Sequence, residues 1–115
     1  MWEILIIEFA LALLFIIIGF YIIGEQKQIS ATVKGKKDLL PIEYVSIILI
    51  ESKTEQVIDN VLTDYQGRFL IKDLGYGTYY ITCVYPGYKK LNTQPFAISL
   101  RHRAVNLGVI TLENE

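Results

Sequence analysis

All eleven lysines and arginines of this 115-residue chain lie after Gln26, and the run from Phe9 to Gly24 carries no charge at all. As a helix that run would extend about 24 Å, or about 31 Å when counted back through Glu8 to Ile4, which is enough to cross the hydrocarbon of a bilayer. Leu11, Leu13, Leu14, Phe15, Ile16, Ile17, Ile18, Ile22 and Ile23 would cover every side of it. No amphipathic stripe therefore marks it as a soluble or lipid-surface helix. The expected organisation is a hydrophobic transmembrane or signal-like helix over residues 1–24 that meets membrane lipid through residues 4–24. A linker at 25–28 and a water-facing domain over 29–113 follow.

Two other readings of the leader compete with a retained anchor. A cleaved signal needs a basic start and small residues before the cut, whereas Met1-Trp2-Glu3 carries no Lys or Arg and Ile22 would stand three residues before a cut after Gly24. A buried soluble helix is the third. Glu8 is expected at the headgroup level beside Trp2, where a carboxylate costs little; its alternative is a basic partner on another helix. Lys27, Lys34, Lys36 and Lys37 follow the run directly, and the positive-inside rule would keep the domain after them in the cytoplasm.

Only Glu3 and Glu8 of the twelve acidic residues precede Glu25, so the remainder balances eleven basic against ten acidic residues. A near-neutral domain of this kind offers no field for nucleic acid. Lys34, Lys36, Lys37, Lys89 and Lys90 are expected to be ordinary solvated residues, with anionic headgroups as the alternative contact. The single cysteine, Cys83, excludes an intrachain disulfide and is expected in the core on one strand face with Tyr79 and Ile81. The one histidine, His102, stands between Arg101 and Arg103 without an orienting partner. Asp38, Asp59, Asp64 and Asp73 fall at turns and lack the alternating spacing of a calcium loop. No catalytic, cofactor or metal site is expected.

After residue 27 the apolar period is two. Ile29-Ala31-Val33, Tyr44–Ile50, Val57–Thr63, Phe69 with Ile71, Tyr79–Tyr85, Phe96–Leu100 and Val105–Leu112 give seven strands. Their spacing predicts an all-β sandwich. Four turn positions stand out: Asp64 and Gly67 in Thr63-Asp64-Tyr65-Gln66-Gly67, Gly77 before the tyrosine-rich strand, and Gly87 in Tyr85-Pro86-Gly87-Tyr88. The apolar phase shifts at Gly108, from Leu107 and Val109 to Ile110 and Leu112, as a β-bulge would cause. Tyr65, Tyr76 and Tyr88 lie near hairpin ends and are candidates for a protein or carbohydrate contact surface, with core packing as the plainer alternative.

The order Ile29-Ser30-Ala31-Thr32-Val33, Leu40-Pro41-Ile42-Glu43-Tyr44-Val45, Thr63-Asp64 with Gly67-Arg68-Phe69, Gly77-Thr78-Tyr79, Gly87-Tyr88 and Asn106-Leu107-Gly108-Val109-Ile110 resembles the carboxypeptidase regulatory-like domain. The resemblance implies a seven-stranded antiparallel transthyretin-like β-sandwich and a non-catalytic accessory or binding module. Such domains occur at the N-terminus of TonB-dependent outer-membrane receptors of Bacteroidetes and beside the catalytic domain of some metallocarboxypeptidases. That setting implies an extracytoplasmic domain, membrane-associated in the cell envelope, with an envelope protein as partner. Three departures qualify it: Ala31 stands where the family usually has Gly, the leader lacks basic residues, and no plug, barrel or peptidase follows Glu115. The expectation is a tethered free-standing sandwich or the N-terminal piece of a longer receptor. A carbohydrate-binding module and a small hydrolase on the same scaffold are the alternatives.

Overall fold

The structure, a computed structural model, describes Glu8, residues 10–14 and residues 27–115. Glu8 and residues 10–14 are helical and exposed. The rest of the expected 1–24 helix and residues 25 and 26 of the 25–28 linker lie outside the described residues. Among the described residues no helix is long and apolar enough to cross a membrane.

The described domain is built from strands: β1 (Gln28–Gly35), β2 (Ser46–Glu51), β3 (Val57–Leu62), β4 (Arg68–Ile71), β5 (Gly77–Val84), β6 (Leu91–Asn92), β7 (Phe96–Ile98) and β8 (Ala104–Leu112). One sheet has the order β4-β1-β8; the other has the order β3-β2-β5-β6, with β7 also paired to β5. Two expectations change. There are eight strands rather than seven, because Leu91–Asn92 pairs with Thr82 and Cys83 over two residues, too short a run to register as a period. The sandwich is not wholly antiparallel either, since β8 runs parallel to β1. Hairpin turns fix the relative direction of neighbouring strands, but β1 and β8 are separated by the whole domain, so no local turn chemistry reports on them.

Alternation explains most of the core. In β1 every second residue, Ile29, Ala31 and Val33, points inward, and Phe69 and Ile71 of β4 do the same. From the other sheet Ile47, Leu49, Ile81 and Cys83 meet them with no exposed surface, joined by Ile98, Ile110 and Leu112. At 25 cal/mol per Å2, each fully buried Ile or Leu contributes roughly 2 kcal/mol relative to an exposed one, an upper figure because the unfolded chain is itself partly collapsed. The β1·β8 ladder slips by one residue between Ser30–Asn106 and Thr32–Val109. The extra residue falls beside Gly108, which has φ 75° and donates its N–H to the Asn106 side chain at 2.8 Å. This is the bulge that the phase shift predicts, and it turns Val109 outward and Ile110 inward.

Candidate functional site

The end of the sandwich where β1 finishes is assembled by one threonine. Thr63 is buried, and its hydroxyl donates to the Ile42 carbonyl at 2.7 Å while accepting the Val45 N–H at 2.9 Å. Its backbone completes the clamp, donating to the Val45 carbonyl and accepting from the Tyr44 N–H. The loop between β1 and β2 is thereby fixed against the turn between β3 and β4. In that turn the Asp64 carboxylate accepts the N–H groups of Gln66 and Arg68, each at 2.9 Å. Gly67 has φ 74° and accepts the Val33 N–H at 2.7 Å, and any Cβ there would collide with the Val33 carbonyl. Asp64 and Gly67 together shape this turn.

The fixed loops carry apolar side chains outward. Leu39, Leu40, Tyr44 and Tyr65 are 62%, 61%, 64% and 72% exposed. Leu39 and Tyr44 also occupy the left-handed region, at φ 58° and 65°, which a leucine or an aromatic residue adopts only against its own preference. Beside them a shallow groove of about 340 Å3 is lined by Lys34, Pro41, Tyr65, Arg68 and Val109.

The three candidate tyrosines do not converge. Tyr65 stands on this loop end. Tyr88 lies near it but is half-buried against the core and tilted on Tyr85 with ring centroids 5.8 Å apart. The turn that carries it closes with Gly87 at φ 86° and the Tyr88 N–H donated to the Tyr85 carbonyl. Tyr76 sits at the opposite end, over 50% exposed, with the Lys27 ammonium 4.4 Å from its ring centroid. About 23 Å, the length of β1, separates the two ends. Gly77 opens β5, two residues before Tyr79, whose part-buried hydroxyl donates to the Gly75 carbonyl at 2.8 Å. Burial, and then Glu51, raises the Tyr79 pKa.

Nothing in these surroundings assembles a nucleophile. Cys83 is fully buried, and burial pushes its thiol up to about 11. His102 is exposed in a tight loop whose backbone exchanges hydrogen bonds with Ser99. Among the described residues no three His, Cys, Asp or Glu side chains group to hold a metal. Asp38 bonds its own loop at Leu40 N–H. Lys36 and Lys89 both reach Glu113, at 2.5 and 3.6 Å, and the Lys36 hydrogen bond lowers the Glu113 pKa.

Residue types alone do not single out Thr63, Leu39 and Tyr44, because their importance comes from a long-range clamp and from backbone angles. Leu40-Pro41 is the one local signal: a leucine before proline at a strand entry is extended and has no neighbour in sequence to cover it.

The sequence profile of the carboxypeptidase regulatory-like domain matches residues 28–113. Comparison with curated proteins finds none that matches. Among solved structures, the group B streptococcus pilus 2b backbone protein is 18% identical with a TM-score of 0.60, covering 76% of this chain and 41% of its own. The major pilin subunit of Bacillus cereus is 16% identical with a TM-score of 0.60, covering 78% and 30%. Klebsiella pneumoniae 5-hydroxyisourate hydrolase is 19% identical with a TM-score of 0.57, covering 74% and 90%. The chain thus spans less than half of the pilins it matches. At these identities the likeness establishes the sandwich fold and nothing about activity.

Proposed function

The chain belongs to the carboxypeptidase regulatory-like domain family, and on that premise we propose that it is a non-catalytic recognition module whose partner is a protein of the cell envelope. One observation carries this reading: Leu39, Leu40, Tyr44 and Tyr65 are exposed together on one loop end that Thr63 and Gly67 hold rigid. Apolar and aromatic side chains already fixed in place lose little conformational entropy on binding, and such residues anchor protein interfaces. The uncharged run Phe9–Gly24 supports a tether in the membrane. The family setting favours the extracytoplasmic side.

A photo-crosslinking residue placed at Tyr65 in the full chain in cells tests the reading. The expected result is a discrete protein adduct that Tyr44→Ser removes and that the same probe at Tyr76 does not form. Equal labelling from both positions, or none from Tyr65, overturns it. A glycan array separates out the carbohydrate reading: glycan binding lost in Tyr65→Ser would favour sugar over protein. Labelling of a cysteine engineered at Ser99 with a membrane-impermeant reagent in intact cells decides the side, since Cys83 is buried and does not compete. For the hydrolase reading, the single histidine and the buried thiol supply no convergent set.

A further inference from the structure

Among the described residues the five-stranded sheet ends on an open edge: β3 pairs there only with β2, and five of its six residues are exposed, including Val57 at 62%, Ile58 at 43% and Leu62 at 58%. The other described edges are short or interrupted. β4 has four residues beginning at Arg68 and followed by Lys72, β6 and β7 have two and three, and β8 is broken by its bulge at Gly108. Brevity, basic residues and bulges are the devices that stop strand edges from pairing with another chain. β3 has no Pro, Lys or Arg. Its bulge at Ile58 leaves a regular run from Asp59 to Leu62 against Leu49 to Ser46.

Backbone direction along that run follows from the clamp. Thr63 directs both its N–H and its C=O toward β2, at Val45 and Tyr44. Alternation in an antiparallel ladder then turns Val61 and Asp59 toward β2, and Asn60 and Leu62 toward the open side. We propose that this edge pairs antiparallel with β3 of a second copy of the chain. A two-fold axis at Asn60 or at Val61 lets the outward groups of Asn60 and Leu62 bond across the junction. It sets Asp59 opposite Val61 or Thr63, so no like charges face each other. An axis at Asp59 would oppose two carboxylates and is unfavourable. The outward strand residues beside the junction are uncharged, Asn60 and Leu62 on β3 with Ser46, Ile48 and Ile50 on β2, while farther in the Glu55 carboxylate accepts from the Tyr80 hydroxyl. A symmetric contact therefore buries no charge among these strand residues.

Asp59 is the one restraint. Its carboxylate accepts the outward Asn60 N–H at 2.8 Å, and pairing requires that exposed side chain to swing away.

Sedimentation of the full chain in detergent micelles tests the proposal. The expected result is a reversible dimer that tightens at least about tenfold in Asp59→Ala, the effect of roughly one charge-assisted hydrogen bond. Asn60→Pro removes an outward N–H that β2 does not use, together with the exposed Ser46 hydroxyl bond to the Asn60 side chain, and Leu62→Lys places a charge on the junction; each is expected to give a folded monomer. If Asn60→Pro unfolds the domain, Leu62→Lys alone decides the matter. A dimer that persists in the folded edge variants overturns the proposal, as does a native chain that stays monomeric at millimolar concentration, whatever Asp59→Ala does. Concentration-independent protection of the Asn60 and Leu62 amides from hydrogen exchange would show another occupant and also overturn it.

Discussion

The two sheets face solvent in different ways. The outward residues of β1 and its neighbours include Gln28, Ser30, Thr32, Lys34, Arg68, Asn106 and Thr111, with Leu70, Ala104 and Val109 the apolar exceptions. The outward residues of β2 and its neighbours are Ile48, Ile50, Tyr80 and Val84 among uncharged polar groups. β1 reads as a strand with one wet face, while Ile47-Ile48-Leu49-Ile50 reads as a strand covered on both. Among the described residues Ile47 and Leu49 are fully buried, whereas Ile48 and Ile50 of the same strand are only half-buried. Among the described residues, the β1 sheet thus presents a mostly polar outward face and the β2 sheet a mostly apolar one.

The sharpest way to break this comparison is to truncate neighbouring residues of β2. Ile47→Ala opens a cavity in the core and is expected to cost about 4 kcal/mol, whereas Ile48→Ala next to it, half-buried on the outward face, is expected to cost less than about 1 kcal/mol in dilute protein. Urea midpoints of the two variants check it, and equal losses would mean that the outward face is as packed as the inward one. On the loop end, Gly67→Ala must force an L residue to φ 74° against the Val33 carbonyl, so a loss of roughly 3 kcal/mol is expected. Gly87→Ala has open space and should lose only about 1 kcal/mol in the same assay.

Thr63→Val strands the Ile42 carbonyl and the Val45 N–H and is expected to cost about 2 kcal/mol, with Thr63→Ser restoring most of it. Titration of the thiol probes the core between the sheets. The folded Cys83 pKa, about 11, lies above its ordinary value of 9.0. Folded protein therefore holds the thiol proton longer than unfolded protein does, and stability should fall as pH rises from about 9 toward 11. Cys83→Ala should flatten that slope in pH-dependent melts. The smallest effect is expected from Glu113→Gln, an exposed pair with Lys36 and Lys89 whose loss should leave the melting temperature unmoved at physiological salt.

Much of the fold was legible in the chain because its signals are local. The period-two runs name the inward residues of β1, β4 and β5, and the shift at Gly108 marks the bulge in β8. Asp64 and Gly67 announce their turn through side-chain chemistry and backbone freedom. What was hidden depends on residues far apart in sequence. The parallel β1·β8 pair, the two-residue β6 and the Thr63 clamp across 21 positions to Ile42 all belong to this class. The candidate surface was half legible: Tyr65 is exposed on the loop end, but turn position could not tell that Tyr76 points from the other end or that Tyr88 leans on the core.

The side-by-side course of β1 and β8 gives the domain a mechanical character. Lys27 and Glu113 leave it from opposite ends, so tension between them runs along the pair from Gln28–Ala104 to Gly35–Leu112. The load is then shared in shear by many bonds at once instead of peeling them in turn, and a domain held at both ends would resist pulling more strongly than a hairpin of equal stability.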